Sequence, residues 1–177
     1  PKPLHGRPII VNASSSGAGM DFAANHSDLM FITRPAGEDI YGLLAAHTKT
    51  IKDHAASLGK SVRTIINPHV ICAETEKEAK ARRQAFIDHA DPVALDNFFK
   101  FITGGDTVSW KGAMRDDLAV GGNMQIVGTP EQCVEKMLKL HDAGIDGIQV
   151  NFYDYLPDLE YFGERVLPLM KDAGLRN

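Results

Sequence analysis

Short unbroken apolar runs alternate with stretches of helical period along this chain, and that alternation is its strongest constraint on fold. Residues 7–11, 29–32, 62–72 and 147–152 each read as a buried strand. A strand covered on both faces shows continuous rather than alternating apolar character. Helical segments fill the intervals. A short one ends near Asn25, and a second places Ile40, Leu43, Leu44, His47, Ile51, Ala55 and Leu58 on one face, with Gly59 as its C-cap. Residues 74–90 form a charged helix in which Glu76 and Lys80 stand four apart, and residues 92–102 a further helical piece. Thr129-Pro130-Glu131-Gln132 opens the next helix with a capping threonine and a proline in the first turn, and that helix stops at Ala143-Gly144. The last helix spans residues 158–173. Pro68 weakens a single central strand across 62–72, and residues 104–122, which hold the sole Trp110, lack a period and read as a long loop.

The order β-α-β-α-β-α-α-loop-α-β-α implies a parallel sheet joined by right-handed crossovers. Two closures fit it: a small doubly wound sheet, or half of an eight-stranded (β/α) barrel. Spacing alone does not choose between them. With 177 residues the chain is expected to be a single domain, 1–177, large enough for a real core.

Bulk properties narrow the function classes. A net charge of −4 argues against nucleic acid, which calls for a basic surface. No apolar run approaches the roughly 18–20 residues of a membrane span, and no basic start leads into an apolar core as a signal peptide would. Cys72 and Cys133 stand far apart in sequence without a CxxC pair, so reduced thiols in a cytoplasmic protein are expected. The chain opens Pro1-Lys2-Pro3 without an initiating methionine, which leaves room for a longer protein.

The stretch Asn12-Ala13-Ser14-Ser15-Ser16-Gly17-Ala18-Gly19 joins the first strand to the first helix. Backbone N–H groups at a helix start, together with the helix dipole, favour an anion. Ser15 and Ser16 add hydroxyl donors, and Gly17 and Gly19 permit close approach of the backbone. Serine and glycine also build ordinary loops and caps, so the residues alone leave both readings open. His69 and Cys72 lack the clustering a metal or nucleophilic site requires and read as a packed histidine and a buried thiol. The remaining histidines are dispersed, and no metal site is expected.

Three blocks together resemble the bacterial-luciferase-like flavin-dependent monooxygenases. The first is Arg7 through Gly19 with Phe22-Ala23-Ala24 and Ser27-Asp28-Leu29-Met30-Phe31. The second is Val127-Gly128-Thr129-Pro130-Glu131-Gln132 running to Asp142-Ala143-Gly144-Ile145-Asp146-Gly147-Ile148. The third is Asp158-Leu159-Glu160-Tyr161-Phe162-Gly163-Glu164-Arg165-Val166-Leu167-Pro168-Leu169-Met170. The resemblance implies a (β/α)8 TIM-barrel α/β fold of which this chain is the C-terminal half, strands five to eight with their helices. It leans toward the dimethyl sulfone, alkanesulfonate, long-chain alkane and pyrimidine monooxygenases.

The resemblance also implies two-component chemistry. A separate flavin reductase supplies reduced FMN, and one atom of O2 is inserted into a small organic substrate, sulfur- or nitrogen-containing in the nearest branch. In that family the loop after strand five holds the FMN phosphate, which points to Ser14, Ser15, Ser16 and the Gly17 amide here. Asn12 and Ala13 end the same strand and approach the flavin. Thr33 and Arg34 end the next strand at the same face. Phe152, Tyr153, Asp154 and Tyr155 follow the last strand toward the barrel mouth, and residues 104–122, with Trp110, Lys111 and Arg115, stand where relatives carry a mobile lid. The catalytic residues remain unassigned, because substrate and flavin-ring contacts come largely from the first four strands. The expected partner is therefore a missing N-terminal half-barrel or a second copy of the chain. The alternatives are a non-catalytic flavin-binding or remnant half-barrel, and a deazaflavin-dependent oxidoreductase.

Overall fold

The computed structural model describes residues 4, 6–13, 16–34, 39–103 and 113–176. In chain order the strands are β1 (Val11–Ala13), β2 (Leu29–Phe31), β3 (Arg63–Ile66), β4 (His69–Cys72), β5 (Gln125–Gly128) and β6 (Gly147–Ile148). The helices are α1 (Gly17–His26), α2 (Ile40–Ser57), α3 (Glu76–Asp88), α4 (Pro92–Thr103), α5 (Ala113–Ala119), α6 (Pro130–Asp142), α7 (Tyr155–Tyr161) and α8 (Leu167–Asp172), with a π-helical turn at Phe162–Val166 between the last two. The chain divides into two compact units, residues 1–67 with 135–150 and residues 68–134 with 151–177.

In the first unit all strand pairs are parallel and the order is β1-β2-β3-β6. The successive strands β1, β2 and β3 are neighbours, with α1 and α2 as the crossovers, and β6, the next strand of this unit, adds beside β3. A doubly wound sheet reverses direction at a switch point, whereas a (β/α) barrel adds each strand beside the last. The observed order is the barrel type. Met30, Leu44, Ile51, Ala55, Ile66 and Leu140 fill the core of this unit. On α2 the buried stripe is Leu44, Thr48, Ile51 and Ala55, while Leu43 and Leu58, expected on that face, lie exposed.

The apolar run at residues 7–11 is not a buried strand. Pairing begins only at Val11, and Ile9 is 67% exposed. The reason is local. The Ile10 N–H donates to the Asp28 carboxylate at 2.8 Å instead of to a strand partner, and the Asp28 and Leu29 N–H groups donate to the Ile10 carbonyl. Arg7 grips the same carboxylate with both Nη atoms, at 2.7 and 2.6 Å.

One polar network ties α2, β3 and the entry to β6 together. The Thr48 hydroxyl donates to the Ala143 carbonyl at 2.6 Å, and Lys52 Nζ donates to the Gly144 carbonyl at 2.7 Å. Lys52 also pairs with Asp146 at 2.8 Å, and that carboxylate accepts the Thr64 N–H at 2.7 Å. Gly144 sits at φ +84°, and a Cβ there would stand 3.0 Å from Thr48 Oγ1, so the position favours glycine on both counts.

In the second unit β4 and β5 pair in parallel, His69 opposite Gln125 and Cys72 opposite Gly128. The β-rich stretch 62–72 is thus two strands, interrupted at Asn67-Pro68, where proline removes a ladder donor. Helix α3 opens with a reciprocal capping box between Thr75 and Glu78. Gln132 and Thr129 exchange the same pair of bonds at the start of α6, where the sequence placed a capping threonine. The expected final helix begins earlier, at Tyr155, and widens at Phe162–Val166. Pro168 has no N–H for the Glu164 carbonyl and its ring crowds that turn; the π-turn takes up the strain, with the Leu167 N–H reaching back to Phe162. Part of the expected loop at 104–122 is the helix α5, in which Arg115 pairs with Asp96 of α4 at 2.7 Å. Trp110, Lys111 and the rest of 104–112 lie outside the described residues. No helix among the described residues is long and apolar enough to cross a membrane.

Asp146 yields a pH-dependent test. Burial raises its pKa, but the Lys52 ammonium and the Thr64 N–H and hydroxyl outweigh burial and hold it below 3.8. The carboxylate therefore adds stability that is complete above that ordinary value and is lost as pH falls through the depressed folded value. Asp146→Ala is expected to lower stability at pH 7 by about 1–2 kcal/mol and to flatten the acid limb of the stability curve, read by urea denaturation between neutral and acid pH.

Candidate functional site

The loop after β1 is built by a helix start. Asn12, half-buried, pairs with Met30 of β2, and Ala13 pairs with Phe31, so Ala13 closes the strand at its C-terminal end. Ser14 and Ser15 lie outside the described residues. Ser16, at φ −80° and ψ 158°, is the N-cap of α1. Its Oγ accepts the Gly19 N–H at 3.1 Å, and its carbonyl takes the first helical bond, from Met20, at 2.8 Å.

That geometry determines which donors face outward. The first N–H groups of a helix have no acceptor within it. Here Ser16 Oγ satisfies the third helical position, leaving the Ser16, Gly17 and Ala18 N–H groups at the exposed end with no helical acceptor. The Ser16 oxygen receives a hydrogen bond from the protein, so its own proton is available to a ligand. A Cβ built on Gly17 meets no atom within 4 Å, and no acidic residue stands in the first turn of α1. Asp21, one turn further on, is held by His54 at 2.6 Å. The set is therefore donors only, backed by the positive end of a ten-residue helix. The residues present fit a phosphate.

Ala18 was not among the residues singled out from sequence. Its signal was the cap: once Ser16 is the N-cap, residues 17–19 are the first three helical positions, and Ala18 contributes an N–H whatever its side chain.

The second unit holds the other chemistry-bearing groups. His69 stacks on Tyr153 with ring centroids 5.0 Å apart, and Tyr153 stacks on Phe86 at 3.8 Å. Gly121 closes over the imidazole at φ +89°, and a Cβ there would lie 2.6 Å from His69 Cε1. His69 is half-buried, its Nδ1 is sealed without a hydrogen-bond partner, and burial holds its pKa below 6.5. It is a packed histidine, as its isolation in sequence implies. Phe152 is buried between Tyr155 and Phe162. Near them, Cys72, Ala73, Glu74, Arg82, Asp158 and Tyr161 are among the residues lining a cavity of about 520 Å³. Among the described residues no group of three or more His, Cys, Asp or Glu side chains gathers as a metal site.

Comparison with known proteins decides the family. The model of the luciferase-like monooxygenases matches residues 1–147. The chain belongs to the luciferase-like monooxygenase family. It is 35% identical over 181 residues to the FMNH2-dependent dimethylsulfone monooxygenase of Pseudomonas fluorescens, covering 97% of this chain and 48% of that protein. It is 32% identical over 168 residues to the pyrimidine monooxygenase RutA of Acinetobacter baylyi, covering 91% and 45%. Among solved structures, DmoA from Hyphomicrobium sulfonivorans superimposes with a TM-score of 0.80 at 20% identity, over 94% of this chain and 42% of that one, which shows a shared fold. The chain spans about half the length of the curated relatives it matches.

The luciferase-like fold is of the TIM-barrel α/β type, and such barrels place their active sites at the C-terminal ends of the strands. Ala13, Ser16 and Gly17 stand at that end of β1, and Thr33 and Arg34 follow the corresponding end of β2. These residues gather at one face of the first unit's sheet because every strand in it points the same way.

His69 supplies a second pH test, of opposite cause to Asp146. Its folded pKa is depressed, so the unfolded chain binds the proton first. Stability is complete above pH 6.5 and is lost as pH falls below it toward the depressed folded value. In thermal melts between pH 7.5 and 5.5, His69→Phe is expected to show a smaller drop than the parent chain.

Proposed function

We propose that this chain supplies the FMN phosphate-binding, C-terminal half of a two-component luciferase-like monooxygenase, strands five to eight of the barrel in one domain. The observation that carries the reading is the donor-only start of α1, capped by Ser16 and placed at the C-terminal end of a parallel strand. The family supports FMN as the owner of the phosphate, since the dimethylsulfone relative is named for its dependence on FMNH2.

In this reading the N–H groups of Ser16, Gly17 and Ala18, with the Ser16 hydroxyl and the loop serines Ser14 and Ser15, bind the phosphate. Asn12 and Ala13 border the cofactor's path along β1. The oxygen-activating chemistry belongs to reduced FMN, brought by a separate reductase, while this chain anchors and orients the cofactor. The substrate class is a small organic molecule containing sulfur or nitrogen, after the two relatives' named substrates.

The remaining half of the site belongs to a partner. β1 forms one edge of the four-stranded sheet, and the aliphatic run leading into it is exposed at Ile9, Ile10 and Val11. An apolar open edge invites another strand, which an N-terminal half-barrel or a second copy of the chain would provide.

The test separates phosphate from ring. Aspartate caps a helix as well as serine does but places a carboxylate against the phosphate. With α1 retained by circular dichroism, Ser16→Asp is expected to weaken FMN binding by about tenfold or more and to leave riboflavin affinity unchanged, measured by flavin fluorescence titration. Equal losses for the two flavins would overturn the phosphate assignment. Tight binding of a deazaflavin in preference to FMN would change the cofactor and keep the loop.

A further inference from the structure

We propose that Cys72 and Cys133 form a peroxide-oxidisable dithiol in the second unit, with Cys72 as the sulfur attacked and Cys133 as the sulfur that resolves it. Strand register brings the two together. Cys72, the last residue of β4, stands opposite Gly128 of β5, and α6 begins two residues beyond Gly128. Cys133 in its first turn reaches back to that glycine, with Sγ 3.7 Å from the Gly128 carbonyl oxygen. The same carbonyl accepts the N–H of Ala73 at 3.2 Å. One peptide oxygen thus takes bonds from the Cys133 thiol and from the N–H next to Cys72, which brings Cys133 against Cys72. Both residues are free thiols rather than a disulfide.

The two sulfurs differ in access. Cys133 is completely buried, whereas Cys72 is 7% exposed and lines the open 520 Å³ cavity along with Glu74 and Arg82. A small oxidant entering that cavity meets Cys72 first. Arg82 is fixed there, donating to the Cys72 carbonyl at 2.9 Å and to Asp158 at 2.6 Å. The hydrogen bond from Cys133, then the positive charge of Arg82, favour the Cys72 thiolate against burial and the Glu131 carboxylate, and the balance holds its pKa below that of an ordinary thiol. Thiolate character with access is what makes one cysteine of a pair the reactive one.

The chemistry closes with hydrogen peroxide as the oxidant. The Cys72 thiolate attacks one peroxide oxygen, the O–O bond breaks, and hydroxide leaves and takes up a proton, giving a sulfenic acid and water. Cys133 sulfur then attacks the Cys72 sulfur, the S–O bond breaks, and a second water leaves with the Cys133 proton. Two electrons pass from the thiol pair to the peroxide, and one disulfide and two waters result. The sulfurs must close to about 2.05 Å, which draws the first turn of α6 toward β4. A small dithiol reverses the bond by exchange.

The experiment is peptide mapping of the full chain after treatment with hydrogen peroxide, with the remaining thiols alkylated under denaturing conditions. The expected product is an intramolecular peptide pair joined through Cys72 and Cys133, two hydrogens lighter than the parent and released by dithiothreitol. Cys133→Ser, checked for fold by circular dichroism, is expected to accumulate a sulfenic acid at Cys72, trapped by dimedone. Recovery of both thiols alkylated in the peroxide-treated wild-type chain would overturn the proposal. So would dimedone labelling of Cys133 in Cys72→Ser at the rate seen for Cys72, or a linkage found only between chains. The wild-type map stands even where a variant fails to fold.

Discussion

A parallel strand cannot be reached by a tight turn, so each strand of the first unit's sheet must be followed by a crossover that returns the chain to its starting end. Where the crossover is a helix, its N-terminus opens at the end where the strand finishes. This single constraint places the exposed end of α1 beside Ala13, and it brings the ends of β1 and β2 to one face of the sheet. The anion-binding character of that face follows from backbone direction before any side chain is specified. Ser16, Gly17 and the missing first-turn carboxylate then tune it toward a phosphate.

The same sheet requires a means of holding its last strand in place, since β6 is only two residues long. Two ladder positions contribute little by themselves. The Asp146 carboxylate compensates by bonding Thr64 of β3 and Lys52 of α2, and Thr48 reaches the carbonyl that ends α6. Register is thus set by side chains that bridge elements rather than by ladder length. A one-residue slip of β6 would carry Asp146 away from both of its donors at once.

Much of this was legible in the sequence, and what was not has local causes. The strands β2, β3 and β4 and the helices α2, α3, α4 and α6 announce themselves through apolar runs, period and caps, because those signals lie within one element. The strand β5 does not. Gln125-Ile126-Val127-Gly128 carries two strong β-formers between a glutamine and a glycine, and its strand character comes from lying beside β4. The helix α5 escapes for the opposite reason: seven residues framed by glycine-rich stretches give too short a period to register. The shift of the first strand from residues 7–11 to Val11–Ala13 turns on one carboxylate, Asp28, which captures the Ile10 N–H. At the site, the strand–serine–glycine–helix order marked the loop that we propose holds the phosphate. Ala18, which offers only a backbone N–H at that helix start, was invisible, and so was the approach of Cys133 to Cys72, which exists only once β4 and β5 pair.

The pattern of perturbed ionisable groups agrees with the proposal of a chain that anchors a cofactor and carries no proton-transfer residue of its own among the described residues. Catalytic acids and bases are shifted by environments with no structural purpose of their own. Among the described residues the depressed carboxylates have ordinary structural partners: Asp28 with Arg7, Glu135 with Lys139, Asp146 with Lys52 and Thr64, and Glu131 with backbone N–H and Thr129. The shifts at Tyr41, Tyr153, His69 and Tyr161 come first from burial, which keeps each side chain neutral; Tyr161 is pushed up to about 12, with the Glu74 carboxylate adding to the effect. Neutral buried rings and paired carboxylates shape and fasten a structure. Where binding and chemistry are divided between a protein and a cofactor, that is the division of labour expected of the phosphate-anchoring role proposed for this chain.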